Sequence, residues 1–553
     1  MRKSIAILFV LIIAIILGSF FLLKNFYFIS KAAFLESSAI IINHGEVIEL
    51  NGEGQAIIEE EAIYIPLMLL EDQFGINTDY DELNKIAIIT TEERVFRFYG
   101  EVGRVEINHK ESAEIPRMII LEDNPMIPIS HMKDDLLIES NFVKETEILI
   151  LSNLSTDQMY GEILDDHTRL RVKDKLFSEV MEIMNKGDRI QLFDEDGDWI
   201  KIVTDKGIMG YVHKNKIHNI NVIKGIIHEK VSPNFQEEPI LLVWEHVHAK
   251  NPDTTQIGEM KGVNVISPTW LSLRDRSGTI SNKIDYSYIQ WAKEKGFKIW
   301  PLFGNQFDPE LTSDFLNNAL ARESAIKGVL KLILDNGLDG INIDFENVFL
   351  KDRDKLVQFV RELVPIFHQH GLLVSMDVTV LSTSENWSLC YDRQALGEAL
   401  DYVAVMTYDE HWSSSPVSGS VASLAWVERG IHQLLEEVPA EKLILGIPFY
   451  TRLWTETPTD EGMKVSSQAL GMKAVNDLVE KYKLQKIWDE TAGQHYVEYQ
   501  IDGKTHKIWI EDSESIILKS DLVNKYNLAG AAAWRRGFET PDIWDVLDRT
   551  LNQ

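Results

Sequence analysis

The 553 residues exceed what one hydrophobic core organises, and at roughly 150 residues per domain they lead us to expect three or four domains. A hydrophobic share of 45%, a charged share of 25% and the lack of any low-complexity tract exclude a disordered chain. The formal net charge of −31, with no basic stripe, excludes nucleic acid as a partner, and the single cysteine, Cys390, excludes an intrachain disulfide.

Residues 5–23 are apolar apart from Ser19 and follow Arg2 and Lys3, as in a helix that spans a membrane with its N-terminus in the cytoplasm. A cleaved signal peptide is the competing reading, since Ser30-Lys31-Ala32 offers a small-x-small site. The apolar run exceeds the usual signal core of roughly 7 to 15 residues, which favours a signal anchor within 1–30. The membrane is then a partner, and the remaining chain is expected to face the cell wall, with secretion or association with spores as alternatives.

Residues 38–152 contain an internal repeat. Ile65-Pro66-Leu67 returns as Ile127-Pro128-Ile129, and at the same offset Ile76 matches Ile138, Tyr80 matches Phe142 and Ile86-Ala87-Ile88 matches Ile148-Leu149-Ile150. Two βαββ-like units are implied. The pattern resembles the small domain at the N-terminus of copper amine oxidases, but no His/Cys cluster accompanies it, so a spacer or wall-binding module is expected.

From 165 to 220 the pattern becomes short alternating strands, 170–172, 189–192, 199–203 and 210–212, separated by Gly187-Asp188, Asp196-Gly197 and Asp205-Lys206-Gly207. Trp199 and the ending Gly210-Tyr211-Val212 resemble a bacterial SH3-like domain. The two aromatics are either core residues or ligand contacts.

Residues 235–550 alternate apolar runs with longer helical segments, the pattern of parallel βα units. Eight strands are predicted at 240–244, 263–267, 297–301, 340–346, 372–377, 402–406, 443–447 and 529–534. Parallel strands buried on both faces point to a closed (β/α)8 TIM barrel with its site at the C-terminal strand ends. The connection at about 450–520 is far longer than a usual βα loop and is expected to form a small α+β insertion.

Alternation along the fourth strand sends Asn342, Asp344 and Glu346 to one face and Ile341, Ile343 and Phe345 to the other. Neighbouring carboxyls in a poorly solvated site repel, so one stays protonated near neutral pH, as a general acid must. Glu346, nearest the strand end, is the natural donor. The full string Asp339-Gly340-Ile341-Asn342-Ile343-Asp344-Phe345-Glu346 resembles the DGxDxDxE signature of glycoside hydrolase family 18, and Met406-Thr407-Tyr408-Asp409 and Trp534 resemble the same family.

That resemblance implies retaining catalysis without a protein nucleophile, in which the substrate's 2-acetamido oxygen attacks the anomeric carbon. Glu346 would protonate the leaving oxygen and later activate water, Asp344 would orient the acetamido group, and Tyr408 would hydrogen-bond its oxygen. Asp409 would support sugar binding, and Trp534 would form a floor beneath the reacting ring. Asn342 stands where many chitinases carry Asp; its neutral amide can still hydrogen-bond Asp344 but cannot share its proton, and the departure shifts the expected polymer toward peptidoglycan.

Asp377 either lines the cleft or caps a helix, and Met406 belongs to the same substrate-binding group. Trp270, Trp300, Trp412 and Trp454 are either sugar-stacking surfaces or packing residues, Trp270 being taken as a substrate contact. The histidines form no convincing metal-ligand group, so neither metal nor cofactor is expected, His246 and His248 being close but without a second cluster. The expected activity is hydrolysis of an N-acetylglucosamine-containing wall polymer. Hydrolysis of chitin oligomers and a non-catalytic wall-binding role on an inactive barrel are the alternatives.

Overall fold

The computed structural model describes residues 39–42, 45–49, 56–59, 62–227, 233, 239–460 and 462–552, together with 12, 13 and 15. The expected membrane anchor therefore lies, but for three positions, outside the described residues. Among those described, no helix is long and apolar enough to cross a membrane. The chain divides into two compact units, Met1–Lys230 and Val231–Gln553.

In the first unit the predicted repeat is visible as strand, helix and two strands, twice over. One copy is Ile63–Pro66, Leu67–Phe74, Asn77–Asp81 and Ile86–Thr90; the other is Asn124–Pro128, Lys133–Leu136, Ile138–Val143 and Ile148–Asn153. Ile65 pairs with Ile127 across an antiparallel ladder, so equivalent residues of the two copies face one another. Both join one apolar core with Leu70, Phe96, Ile129 and Leu149.

The SH3-like part is a seven-stranded antiparallel sheet running from Gln158–Ile163 to Ile217–Ile223. Its core is aliphatic, with Ile163, Leu170, Ile190, Ile200, Ile202 and Val212 turned inward. Strand alternation therefore leaves Trp199 and Tyr211 half-buried outside that core, Trp199 lying edge-on to His213 with ring centroids 5.4 Å apart. The glycine before Tyr211 is required by close approach, since a Cβ on Gly210 would sit 2.6 Å from the Arg171 carbonyl oxygen.

The second unit is the predicted barrel. Its strands are β1 (Ile240–Glu245), β2 (Val265–Pro268, resuming at Leu271–Leu273), β3 (Lys298–Ile299, resuming at Leu302–Gly304) and β4 (Gly340–Asp344). They continue with β5 (Leu373–Thr379), β6 (Tyr402–Met406), β7 (Leu443–Pro448) and β8 (Gly530–Trp534). Neighbours pair in parallel, and β8 closes the ring on β1 through Ile240 and Gly530.

The interior is filled by complementary volumes. Trp244 and Trp300 occupy it with Leu242 and Leu302, while the fully buried contributions of β6 and β8 are Ala404 and Ala532, with Tyr402 and Trp534 packed partly buried against the same cluster. Large side chains opposite small ones fill a barrel too narrow for uniform residues.

The long connection after β7 folds into five antiparallel strands, from Tyr450–Thr459 to Lys504–Ile510, with helix Met472–Tyr482 packed on them. Val475 of that helix meets Val497, Ile508 and Ile510 in a separate small core. This is the α+β insertion expected at about 450–520.

Candidate active site

The chemistry of β4 follows from which residues its alternation buries outside the barrel. Phe345 turns outward and stacks on Phe359 of helix Arg353–His368, with ring centroids 5.6 Å apart and planes 8° apart. Its carbonyl accepts the Tyr391 hydroxyl at 2.9 Å. The next residue is held by its main chain: Asn305, just past β3, donates to the Glu346 carbonyl at 2.7 Å and accepts the Glu346 N–H at 3.1 Å. Asn305 is 1% exposed, and its amide also donates to Thr312 at 2.9 Å.

Held in this way, Asp344 and Glu346 share one face at the end of β4, close enough that each alters the other's hold on its proton. Burial pushes the Asp344 carboxyl up to about 7, the hydrogen bond from Glu346 opposing it. Glu346 is driven well above the usual carboxylate range by burial and then by the charges of Asp344, Asp377 and Asp409. Asp377 is raised by burial and by Asp344, while Asn342 and the Trp244 indole act the other way. One Asp344 oxygen and one Asp377 oxygen are buried with no hydrogen-bond partner in the protein. Carboxyls this close in a poorly solvated pocket cannot all ionise at neutral pH, so the cluster keeps a transferable proton.

Tyr408 completes the group from just beyond β6. Burial raises its hydroxyl well above the ordinary phenol range, and Asp377, Tyr450, Glu346 and Asp344 add to the rise, so it remains a donor. Asp409 adopts a left-handed backbone, φ 60°, and is tied to the insertion by the Tyr450 hydroxyl at 2.6 Å and Arg452 at 2.9 Å. Trp534, at the end of β8, is half-buried, its ring 6.0 Å from Trp244. Met406 is 8% exposed at the end of β6.

Two expectations need correction, and the open readings of Asp377 and the remaining tryptophans are decided. Asn342 is 0% exposed; its amide donates to Asp377 at 2.7 Å and its oxygen accepts Ser375 at 2.7 Å. It therefore supports Asp377 from below instead of bonding Asp344 or touching a substrate. Trp270 is 1% exposed, donates its indole N–H to Asn251 at 2.6 Å and packs on Tyr288, leaving no face for a sugar. Trp300 and Trp454 are likewise buried, whereas Trp412 is 52% exposed. Asp377 lines the acid cluster and caps no helix. Sequence reasoning missed Asn305, Tyr450 and Arg452. Only Asn305 carried a usable signal, as a polar residue directly after the apolar end of β3.

A closed parallel barrel with acidic groups crowded at the ends of neighbouring strands defines an enzyme of the TIM-barrel glycosidase type. The sequence profile of glycosyl hydrolases family 18 matches residues 244–539, over half of the 553, and the chain belongs to that family. It is thus a glycoside hydrolase. A bacterial SH3 domain profile matches residues 166–217, and the repeated segment at 38–152 lies outside both matches.

The chain is 28% identical over 286 residues to the uncharacterized glycosylase YvbX of Bacillus subtilis, covering 49% of this chain and 80% of that protein. It is 28% identical over 250 residues to the cortical fragment-lytic enzyme of the same organism, covering 44% of this chain and only 57% of that protein. The crystal structure of a chitinase from Chromobacterium violaceum superposes with a TM-score of 0.51 at 25% identity, over 57% of this chain and 99% of that one.

Proposed function

We propose that the protein hydrolyses the N-acetylglucosamine linkages of peptidoglycan by substrate-assisted retaining catalysis. The observation that carries this reading is the half-buried pair Asp344 and Glu346 on one face at the end of β4, each altering the other's hold on its proton, close to the protonated Tyr408 hydroxyl. Glu346 delivers its proton to the glycosidic oxygen as the acetamido oxygen of the same substrate closes on the anomeric carbon. Asp344 accepts the acetamido N–H and offsets the positive charge of the oxazolinium ion, and Tyr408 hydrogen-bonds the acetamido oxygen. Glu346, now a carboxylate, takes a proton from water, which opens the ring and restores the starting state. Trp534 lies under the reacting sugar, and Asp409 and Met406 border it.

The likeness to a cortical fragment-lytic enzyme supports a wall polymer, and the likeness to a chitinase structure supports chitin oligomers as a second substrate class. The SH3-like domain and the repeated domain would hold the insoluble polymer, with segment 5–23 anchoring the chain at the membrane, facing the wall. The test compares wild type with Glu346→Gln on purified peptidoglycan and on chitin oligomers, with products identified by mass spectrometry. Reducing-end release falling about 100- to 10,000-fold in the variant is the expected outcome. Equal release from both proteins removes the role of Glu346, and no release from either leaves only binding.

A further inference from the structure

Beside Trp534 lies a cluster that the mechanism does not use. The His246 ring is 6.1 Å from that of Trp534, and its Nε2 is 3.1 Å from Nε2 of His248, one donating to the other. The other ring nitrogen of His246 is buried without a partner. Arg535 follows Trp534 and is half-buried, its guanidinium 3.9 Å from the Phe538 ring centre. Among the described residues Arg535 has no ion pair.

The acids nearest to Arg535 are already committed. Glu245 receives two N–H groups of Arg536 and the Tyr288 hydroxyl, and Glu539 accepts the Gly537 N–H. Lys283 adds a further cation nearby, donating to the Val247 carbonyl at 2.9 Å. In a chain of net charge −31, an unpaired half-buried guanidinium beside a proposed sugar floor calls for an anion from outside.

We propose that Arg535, with the His246–His248 pair, forms a subsite for a carboxylate borne on the sugar adjoining the one cleaved, as the lactyl group of N-acetylmuramic acid supplies where its stem peptide has been removed. The inference rests on the glycan-hydrolase reading above and narrows its substrate class to a carboxylated strand. Arg535 presents a planar fork that matches a carboxylate, and the one imidazole N–H not used between the two rings adds a further donor. Burial, and then the charges of His248, Arg535 and Lys283, hold His246 down to about 4, so near neutral pH its ring is uncharged and its hydrogen bond with His248 orients the pair.

The test uses the full chain and one set of stem-free glycan strands in two forms, with lactyl carboxylates free or amidated. For wild type the free form has the lower KM, by about tenfold, the worth of one charge-assisted hydrogen bond. Arg535→Gln removes that preference and Arg535→Lys restores part of it. Equal KM for the two forms in wild type overturns the proposal, as does an equal loss on both forms in Arg535→Gln. Calorimetric binding to Glu346→Gln keeps the two readings apart. A preference for the free form in binding, without turnover by wild type, upholds the subsite and removes the hydrolase.

Discussion

Asn342 is the residue whose position changes the expected chemistry most. Because it supports Asp377, the acid cluster is built from Asp344, Glu346 and Asp377 with a neutral amide beneath it. For kcat/KM, we expect an acid limb near the Asp344 value of about 7, since that group acts as a carboxylate and ionises as pH rises through it. The alkaline limb belongs to Glu346, whose proton is held to higher pH. Asn342→Asp adds a like charge to the cluster and moves both limbs upward by about one unit, readable in a pH–rate profile. Asn305→Ala frees the main chain of Glu346 and should lower kcat by about 10- to 100-fold with a smaller change in KM, as steady-state kinetics would show. Asp344 and Glu346 were legible in the sequence because a strand alternates its faces. Asn305 was not, because it works through backbone atoms of a residue on another strand, and Trp270 was not, because an indole reads the same in a core as in a cleft.

At the level of elements, near-continuous apolar runs revealed the eight strands, and the sixth was predicted with its observed bounds, Tyr402–Met406. The breaks in β2 and β3 were hidden, since Trp270 and Pro301 interrupt pairing without interrupting hydrophobicity. The insertion was legible from loop length alone, but its attachment was not. Lys519 of helix Ser513–Tyr526 bonds Glu511 at 2.6 and 2.7 Å, both side chains 1% exposed, and Gln494 of the insertion donates to the same carboxyl at 2.7 Å. Removing the cation strands a buried charge, so Lys519→Met should cost about 3–5 kcal/mol in urea unfolding.

For the whole molecule, two units with separate apolar cores predict separable folding. Calorimetry of the full chain should resolve more than one transition. A fragment beginning at residue 239 should retain turnover of soluble N-acetylglucosamine oligomers while losing affinity for insoluble wall in a sedimentation assay. The repeat in the first unit was legible because both copies kept the same spacing; the facing of Ile65 and Ile127 required three dimensions.

The grip of Asn305 on the peptide group at position 346 fixes the local chain without regard to the side chain that hangs from it. An acid-deficient version should therefore be a faithful cast of the native cleft. Immobilised on a resin, it would serve as a trap from which intact glycan strands are recovered uncut.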